Sequence, residues 1–121
     1  TPQIDIDAVL DLQDINAKFM SELKKMNPFV PDNQKPVFCS LGVKDYGTSK
    51  LVGKDLEHIK LELIDDKSNT PIHGIAFGMH QHNTHIKNMK PFNICYTIEE
   101  NTYNGNTSLQ LMVKDIKEND I

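Results

Sequence analysis

The sequence contains no arginine and no tryptophan, so its thirteen cationic side chains other than histidine are all lysines. Seventeen aspartates and glutamates outnumber these lysines and give the chain a formal net charge of −4. Proteins that bind nucleic acid by themselves usually carry an excess of positive charge, because neutralising phosphates supplies much of their affinity. The composition therefore limits any contact with nucleic acid to a local patch of lysines and predicts weak binding.

Cysteines and long apolar runs are also scarce. Cys39 and Cys95 lie far apart and form no CxxC pair, which argues against a zinc knuckle or a redox motif of that kind. Both lie in apolar, strand-like runs, so we predict reduced core thiols in a cytoplasmic protein. No apolar run approaches the roughly 20 residues that span a bilayer, and no signal-peptide pattern is visible, so we predict no membrane contact. The chain starts at Thr1 inside a patterned segment, as expected of a domain taken from a longer protein.

The first patterned segment predicts one N-terminal α-helix. Apolar residues recur there at spacings of three and four, as on one buried helix face: Leu12, Ile15, Phe19, Leu23 and Met26. Asp11 is placed to cap the start of this helix, and Lys24 suits its negative C-terminal end. Asn27-Pro28 should stop it, because proline disfavours helical backbone in the residue before it. The preceding run IDID, residues 4–7, alternates as a short strand would.

From residue 37 onward the period of the apolar residues changes to 2, which predicts β-strands. We predict five, over residues 37–44, 58–63, 72–77, 92–98 and 108–116, with a tight hairpin at Asn104-Gly105. The polar stretch 78–90 has room for one short helix or an irregular loop. Five strands with an insertion after the third are typical of an OB-fold, whereas an immunoglobulin-like sandwich needs about seven.

The predicted fold class is therefore mainly β, a five-stranded OB-fold-like Greek-key barrel preceded by one N-terminal α-helix. The strand, helix and Pro/Asn-rich linker of the N-terminal part would occupy residues 1–36. The barrel would occupy residues 37–121.

Four short motifs occur in order along the chain: PFVPDNQKPVF, VGKDLEHIKLEL, IAF and NTYNGNTSLQLMVKDI. They resemble, in the same order, the linker into the OB domain, two of its strands and its closing hairpin in the RecJ family of single-stranded-DNA exonucleases. The matching residues of the first two motifs are Pro28, Phe29, Asn33, Pro36, Phe38, Val52, Gly53, His58, Lys60 and Leu61. Those of the last two are Ile75, Ala76, Phe77, Asn101, Tyr103, Gly105, Leu109, Gln110, Leu111, Asp115 and Ile116.

The resemblance implies a parent enzyme that digests single-stranded DNA in DNA repair and recombination. RecJ-type nucleases resemble the DHH phosphoesterases, whose Asp and His clusters hold divalent metals, so the implied cofactor of the parent is Mn²⁺ or Mg²⁺. This sequence contains no Asp-His-His run, so we assign it no catalytic residue, no metal ligand and no cofactor. The implied partners are single-stranded DNA, the catalytic domains of the parent chain and a single-strand-binding protein. Val30 and Asp32 replace two glycines of the family, and Asp32 would repel a phosphate.

A histidine-rich tract is the strongest competing motif. His80, His82 and His85, with His73 nearby, contain the nitrogen donors of a transition-metal site. The HxHxxH spacing is loose, however, and no cysteine or carboxylate accompanies it in the tract. An exposed polar loop fits this stretch better.

The outward-facing side chains give the candidate binding site. On the second and fifth predicted strands, polar residues alternate with apolar ones and therefore share an outer face. The outer face of strands two and three, with two adjoining loops, is the usual strand-binding surface of an OB-fold. Lysines there can follow phosphates, and tyrosines can stack on bases. The predicted contacts are Tyr46, Tyr103, His58, Lys60, Gln110, and Lys50 and Lys54 in the turn before the second strand.

Two functions stay open on the sequence. One is an accessory module that holds single-stranded DNA for a catalytic domain elsewhere in the parent chain. The other is a structural or protein-interaction module with little DNA affinity of its own. The fold and the resemblance favour the first, while the acidic charge and the absence of arginine favour the second. His58 is an equally good candidate for a structural hydrogen bond at the barrel mouth.

Overall fold

The computed structural model describes residues 6–26 and 35–118, and this part of the chain is mainly β. The described residues form seven strands: β1 (Ala8–Val9), β2 (Phe38–Asp45), β3 (Lys50–Val52), β4 (His58–Asp65), β5 (Ser68–Ala76), β6 (Phe92–Tyr103) and β7 (Asn106–Lys117). They also form helices α1 (Ala17–Met26) and α2 (Asn83–Lys87) and two short 3-10 turns, Leu12–Asp14 and His80–His82. Neither α-helix is long and apolar enough to cross a membrane.

Five of the strands close into a ring. Neighbours pair in the order β2, β6, β7, β5, β4, and β4 pairs back onto β2 through Lys44 opposite Ile64 and Asp45 opposite Leu63. The β5–β7 pair is parallel, and the other pairs of the ring are antiparallel. A five-stranded ring of this kind is an OB-fold barrel, so the predicted fold class is confirmed. The short strands β1 and β3 extend the sheet at its edges, beside β2 and β4.

The core fills the inside of this ring, because alternate residues of each strand point inward. On β4, Ile59, Leu61 and Leu63 are fully buried, and burying each such side chain stabilises the fold by about 1.5–3 kcal/mol. Gly74 on β5 lies opposite both Leu61 and Leu111. A Cβ added to Gly74 would lie 3.2 Å from the Leu111 carbonyl oxygen and 3.3 Å from the Leu111 Cβ, so the packing leaves little room for a side chain there.

One polar pair is buried with the core. The Ser40 hydroxyl donates to the Leu10 carbonyl at 2.8 Å, which leaves its oxygen to accept from the Tyr96 hydroxyl at 2.7 Å. Burial raises the pKa of Tyr96 to about 12. The two hydrogen bonds tie β2 to β6 and to the segment that follows β1.

The N-terminal helix is shorter than the apolar pattern predicts. Asp11 precedes the 3-10 turn, Ile15 is extended with ψ of 100°, and α1 starts only at Ala17. Asn16 caps α1 by accepting a hydrogen bond of 2.9 Å from the Phe19 N–H, so the predicted cap at Asp11 is wrong for this helix. The predicted stop at Asn27-Pro28 lies outside the described residues, as does the first half of the IDID run. The strand in this region is Ala8–Val9, which pairs in parallel with β2.

Four of the five barrel strands are longer than predicted, whereas β2 keeps its predicted length of eight residues. The turn after β4 is the pair Asp66-Lys67, and β5 starts at Ser68 within the stretch that we expected to be loop. Asn104 and Gly105 have φ of 51° and 79°, so the predicted hairpin forms there. Lys50 is the first residue of β3 and not part of a turn, which corrects its predicted position. The polar stretch 78–90 contains the second 3-10 turn and α2.

Candidate nucleic-acid interface

The candidate surface is the outer face of β3, β4 and β5, which we call the lysine face. Strand register places Lys50 of β3 opposite Lys60 of β4, and Lys60 in turn opposite Ile75 of β5. Ile75 lies opposite Met112 of β7. One row of outward side chains therefore crosses four neighbouring strands, with its two cations at the β3 end.

Lys50 and Lys60 are both exposed and point to the same side of the sheet, because directly opposite residues share a face. Like charges in this relationship destabilise a strand pair. Lys54 is exposed in the turn between β3 and β4. Within residues 6–26 and 35–118, none of these three lysines forms an ion pair, so their charges stay available to an anion.

His58, the first residue of β4, is held by one hydrogen bond and by a contact with a carboxylate. Its Nδ1 lies 2.8 Å from the Gly78 nitrogen, which can only donate, so Nδ1 is the acceptor. The other ring nitrogen, Nε2, lies 3.0 Å from a carboxylate oxygen of Glu57. This half-buried side chain therefore has its polar atoms occupied by the protein. The geometry is that of the structural hydrogen-bonding residue considered above.

Phe77 is the aromatic residue that the sequence reasoning missed. It follows β5, its side chain is 58% exposed, and its ring meets the His58 ring edge to face at 5.0 Å between centroids. The residue before it, Ala76, is fully buried. This alternation was visible in the sequence and puts Phe77 on the same outer face as Ile75.

The loop between β2 and β3 carries Tyr46 and is anchored by a buried carboxylate. Asp45 has no exposed surface and accepts hydrogen bonds from the Ser49 N–H at 3.0 Å and from Lys87 of α2 at 3.1 Å. Burial by itself would raise the pKa of Asp45. Hydrogen bonds from Ser49, from the Gly47 N–H and from Lys87 outweigh that effect and hold its pKa below the ordinary value. Tyr46, which comes next, is 48% exposed.

The remaining two candidate residues lie on β6 and β7. Tyr103 ends β6 beside the hairpin turn and is 78% exposed. Gln110 of β7 lies opposite both His73 and Glu99, and its side-chain oxygen accepts from Asn101 at 3.3 Å. The structure thus brings Lys50, Lys60 and His58 together on adjacent strands. It places Gln110 in a neighbouring row that is acidic at both ends, with Glu62 and Glu99.

The histidine tract does not form a metal centre. His82 and His85 both approach Glu118, at 2.5 Å and 3.6 Å, whereas His73 pairs with Glu62 at 3.1 Å on the outer face of the barrel. Over residues 6–26 and 35–118, no group of three histidine, cysteine or carboxylate side chains is arranged to hold a metal ion. A divalent cation needs several converging oxygens, and the carboxylates of the described residues do not converge in this way. The described residues therefore do not fit a Mn²⁺ or Mg²⁺ site.

Comparison with known proteins agrees with the fold and the motifs. Residues 6–115 match the family model described as the RecJ OB domain. The chain belongs to the RecJ OB domain family. No match was found among curated protein sequences.

Two crystal structures of RecJ from Thermus thermophilus contain a fold similar to this RecJ OB domain. The structure in complex with Mn²⁺ has a TM-score of 0.58 at 16% identity, and the match covers 84% of this chain and 14% of that chain. The structure in complex with Mg²⁺ has a TM-score of 0.54 at 14% identity, with the same coverage. The chain thus spans about one seventh of the length of these RecJ proteins, and the likeness at this identity concerns the fold.

Proposed function

We propose that this RecJ OB domain is an accessory module that holds single-stranded DNA for the catalytic domains of a RecJ-type exonuclease acting in DNA repair and recombination. Lys50, Lys54 and Lys60 contact phosphates, and exposed aromatic rings stack on bases. Hydrolysis, with its Mn²⁺ or Mg²⁺, belongs to other domains of the parent protein. The described residues bind and orient the strand and take no part in bond cleavage.

The observation that carries this proposal is the opposition of Lys50 and Lys60 beside the exposed ring of Phe77. Two ammonium groups that face each other across a strand pair repel, and a phosphate between them relieves the repulsion. A ring on the same face gives an adjacent base a stacking partner, since every base has a π-face. Cations and aromatic rings together are what single-strand-binding grooves use.

The charge of the chain sets the strength of this binding. A net charge of −4 repels a polyanion at long range, and the neighbouring row with Glu62 and Glu99 confines the favourable region to the β3 end of the face. Few phosphates can then be neutralised, so few counterions are released. We expect micromolar or weaker dissociation constants at physiological salt, without sequence preference.

A fluorescence-anisotropy titration with labelled oligo-dT at low and at physiological salt tests the proposal. A Lys50→Gln/Lys60→Gln double variant should bind more weakly and should lower the magnitude of the salt slope by about 1.4, at about 0.7 for each lost phosphate contact. The matched control is Lys18→Gln/Lys25→Gln, which removes the same charge from exposed positions of α1. Equal losses in both double variants, or no binding even at low salt, would contradict the proposal.

The second candidate function is a structural or protein-interaction module of the same enzyme, with the catalytic domains of the parent chain or a single-strand-binding protein as its partner. The acidic net charge and the glutamate row favour it. A parent enzyme carrying Lys50→Gln/Lys60→Gln separates the two functions. Weaker capture of single-stranded DNA by the intact enzyme supports the DNA-holding role, and unchanged capture supports the structural one.

A further inference from the structure

The two cysteines of the chain lie directly opposite each other. Cys39 of β2 and Cys95 of β6 are partners in the antiparallel β2–β6 ladder, and both are free thiols. Directly opposite residues point to the same face of a sheet, so the two thiol groups are neighbours on that face. Strand pairing thus brings together two residues that are 56 positions apart in the sequence.

This position meets the Cα-separation requirement of a disulfide bond. Opposite residues of an antiparallel pair have Cα atoms about 4.5 or 5.5 Å apart, depending on their place in the hydrogen-bond pattern. A disulfide accepts Cα separations of about 4.4–6.8 Å. Both ladder positions fall within that range, and the bond then requires only that the two Cβ atoms approach from the roughly 4.5–5.5 Å that is usual for opposite residues to about 3.5–4.5 Å.

We propose that Cys39 and Cys95 are a covalent modification site, at which a small-molecule disulfide such as oxidised glutathione converts the two thiols into a reversible internal disulfide that cross-links β2 to β6. In the first step the Cys95 thiolate attacks one glutathione sulfur, forming a mixed disulfide and releasing one reduced glutathione. In the second step the Cys39 thiolate attacks the Cys95 sulfur and releases the other. Two protein thiols are oxidised, one glutathione disulfide is reduced, and two thiol protons leave with the glutathione thiols.

Exposure sets the order of the two steps. Cys39 is 4% exposed, whereas Cys95 is half-buried and can meet a tripeptide from solvent. Burial raises the pKa of both thiols, to about 11 for Cys95, where the neighbouring Cys39 and Asp115 add to the effect. Because the thiolate is the nucleophile, exchange is slow at neutral pH and accelerates about tenfold for each unit by which the pH rises toward that pKa.

The cross-link lies apart from the lysine face. Lys50 and Lys60 are on β3 and β4, and neither strand pairs with β6. Failure of the DNA-binding proposal therefore leaves the disulfide proposal intact, and the reverse also holds. Oligo-dT affinity should be the same for the oxidised and reduced proteins.

The test incubates the full chain with excess oxidised glutathione at mildly alkaline pH and follows the intact mass. We expect the loss of two hydrogen atoms per chain, in a protein that stays monomeric on a non-reducing gel and returns to its original mass with dithiothreitol. The Cys39→Ser variant should stop at one glutathione adduct on Cys95, and Cys95→Ser should react much more slowly. A wild-type protein that ends as a stable glutathione adduct, as a disulfide-linked dimer or unmodified would overturn the proposal.

Discussion

The ammonium group of Lys87 lies 3.1 Å from a carboxylate oxygen of Asp45, a side chain with no exposed surface. The same ammonium group donates to the Ser49 carbonyl at 2.8 Å. Helix α2 therefore fixes the loop between β2 and β3, which carries Tyr46 and leads into the Lys50 end of the lysine face. The anchor is 42 residues away from the loop in sequence.

Asp45→Asn should destabilise the protein, because the amide keeps the size of the carboxylate but loses its charge and presents N–H groups to other donors. Hydrogen bonds to charged groups contribute about 1.5–3 kcal/mol each, so we expect a loss of about 2 kcal/mol in urea denaturation. Asp66→Asn, in the exposed turn after β4, is the matched control and should change stability by less than about 0.5 kcal/mol.

Asp45 should also make the folding stability of the protein decrease at acidic pH. The folded state holds the pKa of Asp45 below its ordinary value of 3.8. Its contribution to stability is therefore fully present above that value and is lost as the pH falls through the lower, folded pKa. Urea midpoints measured from neutral pH downward should fall less steeply for Asp45→Asn than for wild type. If the urea midpoints of the two proteins fell in parallel, other carboxylates would cause the loss of stability at acidic pH.

Tyr96→Phe tests the buried hydroxyl pair. Ser40 keeps its bond to the Leu10 carbonyl in this variant, so the expected cost is one hydrogen bond, about 1 kcal/mol. The folded pKa of Tyr96, about 12, lies above the ordinary 10, so its share of stability is present below pH 10 and is lost as the pH rises through 12. Tyr103→Phe, at an exposed ring, should leave the alkaline stability curve unchanged. If the stability of the wild-type protein fell no more steeply at alkaline pH than that of Tyr96→Phe, the contribution assigned to the buried Tyr96 hydroxyl would be contradicted.

Gly53→Ala should disturb the support of His58. Gly53 has φ of 100°, and an added Cβ would collide with the Glu57 carboxylate and approach the His58 ring to 2.9 Å. Gly47→Ala is a close control, with φ of 116° and no atom within 4 Å of the added Cβ. Backbone strain of this kind costs about 1–3 kcal/mol in either variant. Only Gly53→Ala should also shift the ¹⁵N resonances of the His58 ring, and equal shifts in both variants would contradict the contact.

Phe77→Leu should weaken binding to oligo-dT without changing the salt slope. Leucine keeps an apolar side chain on the lysine face but removes the aromatic ring. Because stacking contributes about 1–3 kcal/mol per base, we expect the affinity for oligo-dT to fall roughly fivefold or more. Leu56→Ala, another exposed apolar position near His58, is the control and should bind as wild type does. A reduced slope in Phe77→Leu would mean that the phosphate contacts had been disturbed.

The isolated chain should not degrade single-stranded DNA in the presence of Mn²⁺ or Mg²⁺. The described residues offer no converging carboxylate and histidine set to hold the metals that activate water in such hydrolysis. The measurement is gel analysis of a labelled oligonucleotide after prolonged incubation with the purified chain. Digestion that a chelator abolishes, and that persists after further purification, would place a catalytic site in this domain.

Much of the barrel was predictable because the physics that forms it is local in sequence. Alternation along β4 gave the faces of Lys60 and Leu61, and Asn104-Gly105 gave the last hairpin, since few other pairs adopt two positive φ angles so readily. Strand β3 was missed because its three residues are too short to show a period. Lys50 and Lys60 lie opposite each other because of the register in which β3 pairs with β4. The sequence of either strand alone does not determine that register.

The sequence did not reveal the roles of three residues, for different reasons. Asp45 reads as an ordinary turn residue, and only Lys87 and the closed barrel make it a buried anchor. Phe77 was overlooked, although its alternation with the buried Ala76 places it on the outer face. Asp11 precedes an apolar stripe as a helix cap does, but extended backbone at Ile15 transfers that role to Asn16.

The strand pairs that form the barrel ring differ in length. The β6–β7 ladder contains eleven residue pairs, whereas the β2–β4 ladder that closes the ring contains two. Local opening follows the path that breaks the fewest contacts, so amide hydrogens along β2–β4 should exchange with solvent well before those of β6–β7. The barrel would then begin to open beside Asp45 and the Tyr46 loop, and would retain the long hairpin as its most protected part.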